Sequence, residues 1–164
     1  SVVSLDEYKE MIFLKTAYMI GLSSEIGGIL SNLPEGETIR LKEFGESIGM
    51  VYQVQDDLLE LYSNSESMKK SLDSDFVLNK KTFLWVSTPE ALRGELDSIL
   101  SNFKNDKKKT INELRNFMEV NQIKQKAEFF IEQNIKKSKV ILDNISGNTQ
   151  FLKYFGDLIF NRRY

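Results

Sequence analysis

Residues 52–60 read Tyr-Gln-Val-Gln-Asp-Asp-Leu-Leu-Glu, and this stretch indicates both a fold and a chemistry. A helix over about residues 41–62 is predicted, because apolar side chains recur there at helical spacing: Leu41, Phe44, Ile48, Val51, Leu58 and Tyr62. Residues three or four apart share a helix face, so Gln53, Asp56 and Glu60 fall on one flank of that helix. Asp57 adds a further carboxylate to the same flank.

Three carboxylates in five residues have two possible meanings. Like charges this close repel one another unless a cation lies between them. Mg²⁺ binds through one or two carboxylates, several waters and substrate phosphates, and the stretch offers suitable oxygen ligands. The alternative, which these residues alone leave open, is an acidic stripe that simply faces solvent.

Composition limits the rest of the chemistry. The chain has 164 residues, 41% of them hydrophobic and 28% charged, which fits a single helical domain over residues 1–164. Its net charge of −2 does not indicate a nucleic-acid partner. Because there is no His and no Cys, histidine bases and thiolate metal sites are excluded, and oxygen ligands and lysines remain. No apolar run reaches the ~18 residues of a membrane span. The absence of Cys is compatible with a cytosolic protein, and a cytoplasmic location is expected.

The apolar spacing is helical nearly throughout, with only two prolines, and predicts an all-α helical bundle. A first helix is expected from Ser4, which forms a capping box with Glu7, to the residues before Pro34. Its predicted inner face is Tyr8, Met11, Lys15, Tyr18, Leu22, Ile26 and Leu30. Later helices are expected over about residues 76–86, 121–145 and 150–162, with Thr88 and Asp106 as N-caps of the intervening segments.

Lysines and a glycine add to the acidic stretch. Lys15 lies within the predicted apolar stripe, where it must either extend to the helix edge or meet an anion. Gly49 borders the acidic flank and is expected to let a ligand approach the backbone. Lys70, Asp75 and Lys80 follow in and beyond a polar loop at 63–75. Lysines brought by a loop to a carboxylate and metal cluster are suited to a polyanion such as a diphosphate.

The order of these motifs resembles the C-terminal half of the trans-isoprenyl diphosphate synthases. This is the polyprenyl synthetase family, which includes farnesyl and geranylgeranyl diphosphate synthases. The resemblance is carried by Lys15-Thr16-Ala17, residues 44–49, residues 52–60, Lys70, Asp75 and residues 79–84. It implies the isoprenoid synthase fold and a Mg²⁺-dependent prenyltransferase that condenses isopentenyl diphosphate with an allylic diphosphate.

The resemblance also implies roles for individual residues. Asp56 corresponds to a direct Mg²⁺ ligand, and the residues that would support bound metal are Asp57, Glu60, Gln53 and Asp75. Those that would contact the allylic diphosphate are Lys15, Lys70 and Lys80. Thr16 and Gln53, with Lys15, would assist catalysis by proton removal or positioning. The basic pair Arg162 and Arg163 resembles a C-terminus that closes over isopentenyl diphosphate in some members.

The chain also departs from the family pattern. Glu60 stands where the second aspartate-rich motif ends in aspartate, and Lys69, Asp73 and Ser74 replace expected residues of the loop, two of them glycines. Nothing matches the first aspartate-rich motif, so we expect a fragment that is inactive alone. The resemblance implies that the full-length enzyme is a homo-oligomer. The alternatives are a non-catalytic partner subunit of a synthase and a helical interaction module.

Overall fold

The computed structural model describes residues 3–63 and 81–162, and over these ranges every regular element is helical. The elements are α1 Leu5–Ile12, a π-helical turn Phe13–Ala17, α2 Tyr18–Leu30, α3 Glu35–Tyr62, α4 Phe83–Val86, α5 Glu90–Ser101, α6 Lys107–Val120, α7 Ile123–Asp143 and α8 Gln150–Phe160. The prediction of an all-α protein is confirmed. None of these helices combines the length and apolarity needed to cross a membrane.

Helix boundaries follow local capping chemistry. The capping box at the start of α1 is confirmed, because Glu7 Oε2 accepts the Ser4 amide at 2.7 Å and Ser4 Oγ accepts the Glu7 amide at 3.2 Å. Asp106 caps α6 as expected by accepting the Lys109 amide at 3.0 Å. The predicted cap at Thr88 is wrong, since the N-cap of α5 is Pro89. The Thr88 hydroxyl instead donates to the Leu84 carbonyl.

The chain divides into two compact units. The first comprises residues 1–8, 56–128 and 163–164. Within it α5 and α6 pack on each other. The buried apolar core of this unit includes Tyr8, Leu58, Leu61, Phe83, Leu84, Leu96, Leu114, Phe117, Met118 and Ile123.

In the first unit, Arg115 of α6 stabilises the C-terminus of α3. The last carbonyls of a helix have no partner within the helix, and a basic side chain can supply one. Arg115 Nε donates to the Leu61 carbonyl at 2.9 Å, and its Nη2 donates to the Ser63 carbonyl at 3.3 Å. The C-terminal end of α3, the helix that carries Asp56, Asp57 and Glu60, is therefore held by α6.

The second unit comprises residues 9–55 and 129–162. Its core includes Ile12, Ala17, Leu41, Phe44, Ile48, Val51, Ile131, Ile135, Leu142 and Ile159. The inward positions predicted for the helix over 41–62 are confirmed, because all six are buried. The helix itself begins earlier, at Glu35, where the Pro34 carbonyl accepts the amides of Glu37 and Thr38.

The predicted inner face of the first helix is largely wrong. Met11, Lys15, Tyr18, Ile26 and Leu30 are exposed and Leu22 is half-buried, whereas Tyr8 is buried. In the π-helical turn, the Tyr18 amide bonds to the Phe13 carbonyl five residues earlier, which adds one residue to that turn. One extra residue rotates the following face by about 100°. The buried positions after that point are therefore the small residues Ala17, Gly21 and Gly28.

Small residues let α2 and α3 approach closely within the second unit. A methyl group added at Gly45 would lie 2.6 Å from the Ile20 carbonyl oxygen, and one at Gly21 would lie 2.5 Å from Glu46 Cγ. Both distances are below any normal contact, so the backbone of α3 at Gly45 lies against the backbone of α2, and Gly21 lies against the Glu46 side chain. On another side of α3, Gly156 of α8 brings its backbone near Ile48 Cδ1.

Candidate diphosphate and metal site

In the first unit, Asp57 is a buried carboxylate held by two donors on one oxygen. Only 3% of its surface is exposed. The Tyr8 hydroxyl donates to Asp57 Oδ2 at 2.6 Å, and the Phe83 amide donates to the same oxygen at 2.7 Å. We call this arrangement the Asp57 node. It joins α1, α3 and the start of α4 at one oxygen atom.

The Tyr8 hydroxyl remains protonated in this setting. Burial raises the pKa of Tyr8 well above its ordinary value, and the nearby charge of Asp57 and the hydrogen bond to it raise the pKa further. A protonated phenol is a hydrogen-bond donor, which is what a buried carboxylate requires. Sequence reasoning placed Tyr8 on the inner face but missed this contact, because no local pattern links residues 49 positions apart.

The other two carboxylates lie on the same segment of α3. Asp56 is half-buried, while Glu60 is 3% exposed. Asp56 and Glu60 are one helical turn apart, as the sequence predicts. The alternative of an acidic stripe that simply faces solvent is therefore wrong for Asp57 and Glu60. Burial of two carboxylates is costly unless they are hydrogen-bonded or paired.

In the second unit, Lys15 and Thr16 lie in the π-helical turn. Lys15 is exposed and Thr16 is half-buried. The Thr16 hydroxyl donates to Gln53 Oε1 at 3.3 Å, so two of the predicted site residues contact each other. Single π-helical turns within α-helices are frequent at functional sites. Sequence periodicity gave no sign of the turn.

Gly49 does not leave room for a ligand, which corrects the expectation from the sequence. A methyl group there would lie 2.4 Å from Ala17 Cα, so the backbone of the π-helical turn occupies that space. The absence of a side chain at Gly49 instead lets α3 pack directly against the turn that carries Lys15 and Thr16. The glycine therefore serves the geometry of the site through packing.

The C-terminal segment also contacts α3 within the second unit. Gln55 Nε2 donates to the Arg162 carbonyl at 2.5 Å, and the Arg162 guanidinium lies 4.8 Å from the centre of the Tyr52 ring. A guanidinium over an aromatic face is a stabilising cation–π arrangement. Arg162 is thus anchored to Tyr52 and Gln55 of α3. Its neighbour Arg163 lies outside the described residues.

Three further predicted site residues, Lys70, Asp75 and Lys80, lie outside the described residues as well. The two residues that follow Lys80 are described. Lys81 places its Nζ 3.5 Å from the centre of the Trp85 ring, and Thr82 caps α4 by accepting the Trp85 amide at 3.4 Å. The Thr82 cap positions the Phe83 amide that enters the Asp57 node.

The donor set fits Mg²⁺ rather than a metal held only by protein. Within residues 3–63 and 81–162, no three acidic, histidine or cysteine side chains come together as a metal cage. Mg²⁺ does not need such a cage, because it is usually held by one or two carboxylates with waters and phosphate oxygens completing its shell. A half-buried Asp56 next to a fixed Asp57 is compatible with that mode.

Comparison with known proteins gives a consistent result. The family model for polyprenyl synthetase matches residues 1–120. A short chain isoprenyl diphosphate synthase from Methanothermobacter thermautotrophicus is 35% identical over 88 residues, covering 54% of this chain and 27% of that protein. A farnesyl diphosphate synthase from Bacillus subtilis is 32% identical over 95 residues, covering 58% of this chain and 32% of that protein.

Comparison with solved structures also finds isoprenyl diphosphate synthases. The geranylgeranyl pyrophosphate synthetase of Pyrococcus horikoshii superposes with a TM-score of 0.83 at 25% identity, covering 99% of this chain and 51% of that chain. The chain therefore spans about half the length of that structure and about a third or less of the two curated relatives. The family match covers well over half of these 164 residues, and the fold agrees with it: the chain belongs to the polyprenyl synthetase family.

Proposed function

We propose that the protein containing this chain is a Mg²⁺-dependent trans-prenyltransferase that condenses isopentenyl diphosphate with an allylic diphosphate. The observation that carries the proposal is the buried Asp57 node beside Asp56 on α3, in a chain of the polyprenyl synthetase family. In this proposal the segment 53–60 forms the metal-binding wall of the allylic diphosphate site. Bound Mg²⁺ would neutralise charge on the departing diphosphate.

In this proposal, separate residues of the chain bind the metal and the diphosphate. Asp56 binds the metal directly, and the side chains that orient metal-bound water are Gln53, Asp57, Glu60 and Asp75. The lysines that bind the diphosphate oxygens are Lys15, Lys70 and Lys80. The exposure of Lys15 supports this role, since an exposed ammonium can reach an anion without prior desolvation.

Thr16 and Gln53 are proposed to position the allylic substrate. The Thr16 hydroxyl donates a hydrogen bond to Gln53 Oε1. The lone pairs of Thr16 Oγ and the Nε2 amide of Gln53 are then the groups that interact with substrate. Arg162 and Arg163 are proposed to close over isopentenyl diphosphate, and the Tyr52 stack and the Gln55 hydrogen bond of Arg162 support this assignment.

Residues 1–164 are proposed to be inactive without further polypeptide. They contain one pair of adjacent aspartates, Asp56 and Asp57, whereas the family's chemistry uses two aspartate-rich motifs. The curated relatives and solved structures are also much longer than the matching stretch.

The cellular setting belongs to the same proposal. We propose a cytoplasmic enzyme that acts as a homo-oligomer. Large apolar side chains of the second unit support association with further polypeptide, because Met19, Ile29 and Leu30 of α2 are exposed. Light scattering of the protein at several concentrations tests the oligomer, and a monomer at all concentrations would contradict it.

Catalysis is tested by incubating the intact protein with labelled isopentenyl diphosphate and dimethylallyl, geranyl or farnesyl diphosphate. We expect a labelled, extractable prenyl product in Mg²⁺ that disappears with excess chelator. Asp56→Ala should reduce turnover by about 10²-fold or more, the usual effect of losing a group that stabilises developing charge. Asp97→Ala, an exposed aspartate on α5, is the matched control and should retain activity. Full activity of Asp56→Ala would contradict the assignment.

A second candidate function is a non-catalytic partner subunit of a synthase. Glu60 favours it, since a longer, buried acid replaces the family's aspartate. The same assay separates the two proposals. Turnover by the intact protein alone excludes the subunit, whereas Mg²⁺ and diphosphate binding without turnover would favour it.

A further inference from the structure

The Asp57 node restricts the orientation of the second carboxylate of the pair. Two donors, the Tyr8 hydroxyl at 2.6 Å and the Phe83 amide at 2.7 Å, meet at Oδ2. With that oxygen held from two directions, rotation of the carboxylate about its Cβ–Cγ bond is restricted. The position of Oδ1 is thereby fixed as well.

Each donor is itself held in place. Tyr8 follows the capping box directly, and its own amide donates to the Ser4 carbonyl at 3.0 Å. The Tyr8 ring meets the Phe83 ring edge to face, with centroids 5.8 Å apart and planes at 77°. The Phe83 amide is the first of α4 and has no acceptor within that helix, so Asp57 supplies one.

The node also makes burial of the charge tolerable. A buried carboxylate is costly unless it is hydrogen-bonded, and bonds to an ionised acceptor are about twice as strong as neutral ones. Tyr8 is only 1% exposed, and its hydroxyl, donating from another helix, is a specific way to meet this need. Partners of this kind orient metal-binding groups in many proteins.

We propose that Tyr8 is a positioning residue that orients the Asp57 carboxylate for Mg²⁺-bound water beside Asp56. The inference rests on the proposed function, in which this segment of α3 holds Mg²⁺. Tyr8 touches neither metal nor substrate and acts only through Asp57. Loss of the Tyr8 hydroxyl is therefore expected to lower the affinity for the metal.

The test compares Mn²⁺ binding, as a stand-in for Mg²⁺, by electron paramagnetic resonance of the free ion. Tyr8→Phe keeps the ring and removes only the hydroxyl, and we expect binding about tenfold weaker than in the wild-type protein. Thr88→Val is the matched control. It also removes a buried hydroxyl in the first unit, one that donates to the Leu84 carbonyl at 2.9 Å, and it should leave Mn²⁺ affinity unchanged.

The outcomes separate the inference from the proposed function. If the wild-type protein binds Mn²⁺ and Tyr8→Phe binds it equally well, Tyr8 is merely structural and the inference is wrong. If the wild-type protein binds no Mn²⁺, the proposed metal site itself fails.

Folding of each variant is checked by circular dichroism. If Tyr8→Phe does not fold, Tyr8→Met provides a second test. It also removes the hydroxyl that donates to Asp57 Oδ2 and should weaken Mn²⁺ binding about tenfold. Unchanged affinity in folded Tyr8→Met would also overturn the inference.

Discussion

Gly49→Ala should disturb the turn that carries Lys15 and Thr16, because the nearest atoms to the added methyl group belong to Ala17 of that turn. The added methyl group would lie 2.4 Å from Ala17 Cα, 3.0 Å from its Cβ and 3.2 Å from its amide nitrogen. Ordinary contacts begin at 3.4 Å, so the π-helical turn and α3 must separate by about 1.0 Å. Two of these atoms belong to the backbone and the third is an alanine Cβ, whose position no side-chain rotation changes, so rotation of a side chain cannot relieve the clash.

The magnitude follows from two opposing effects. Overpacking a well-packed contact costs typically 1–3 kcal/mol. Replacing glycine by alanine within a helix returns about 1 kcal/mol. With a backbone clash at the upper end of the first range, Gly49→Ala should lower the free energy of unfolding by about 1–2 kcal/mol. A shift of that size would also break the 3.3 Å bond between Thr16 and Gln53.

Gly27→Ala is the matched control in the same unit. It lies within α2, and a methyl group there would meet nothing within 4 Å. Only the higher helix propensity of alanine compared with glycine applies. The free energy of unfolding should therefore rise by about 0.5–1 kcal/mol. Denaturant unfolding followed by circular dichroism measures both variants. If Gly49→Ala is as stable as Gly27→Ala, the close packing of α3 on the turn is wrong.

Two further predictions concern helix ends. Arg115→Met leaves the Leu61 and Ser63 carbonyls without their charged donor and should cost about 1–2 kcal/mol in denaturant unfolding; unchanged stability would contradict this cap. The hydrogen bond from the Ser4 amide lowers the pKa of Glu7, so the ionised form is favoured by folding. Its stabilising effect is therefore present above the unfolded pKa of Glu7 and is lost as the pH falls through the lower folded pKa. Glu7→Gln should lower the melting temperature at neutral pH and not in strong acid, and an equal loss at both would refute the assignment.

Much of α3 could be predicted from the sequence because its signals are local. Leu41, Phe44 and Ile48 recur at helical spacing, and the acidic residues fall on one flank by the same geometry. Caps are local as well, which is why the roles of Ser4 and Asp106 were predictable.

Other features depend on contacts between distant segments. The π-helical turn has no local signature, so the face of α2 after Ala17 was predicted wrongly. Gly49 indicated only a missing side chain, and the structure was needed to show that Ala17 fills that space. The bond between Tyr8 and Asp57 joins segments far apart in the chain, and helical periodicity carries no information on it.

The central claim is that Asp56 and its neighbours on α3 hold Mg²⁺ against a diphosphate. The most direct measurement is calorimetric titration of inorganic pyrophosphate into the protein in excess Mg²⁺ and again in excess chelator. We predict binding only with Mg²⁺, weakened at least tenfold by Asp56→Ala and unchanged by Asp97→Ala. Pyrophosphate binding that is independent of Mg²⁺, or unaffected by Asp56→Ala, would contradict the account.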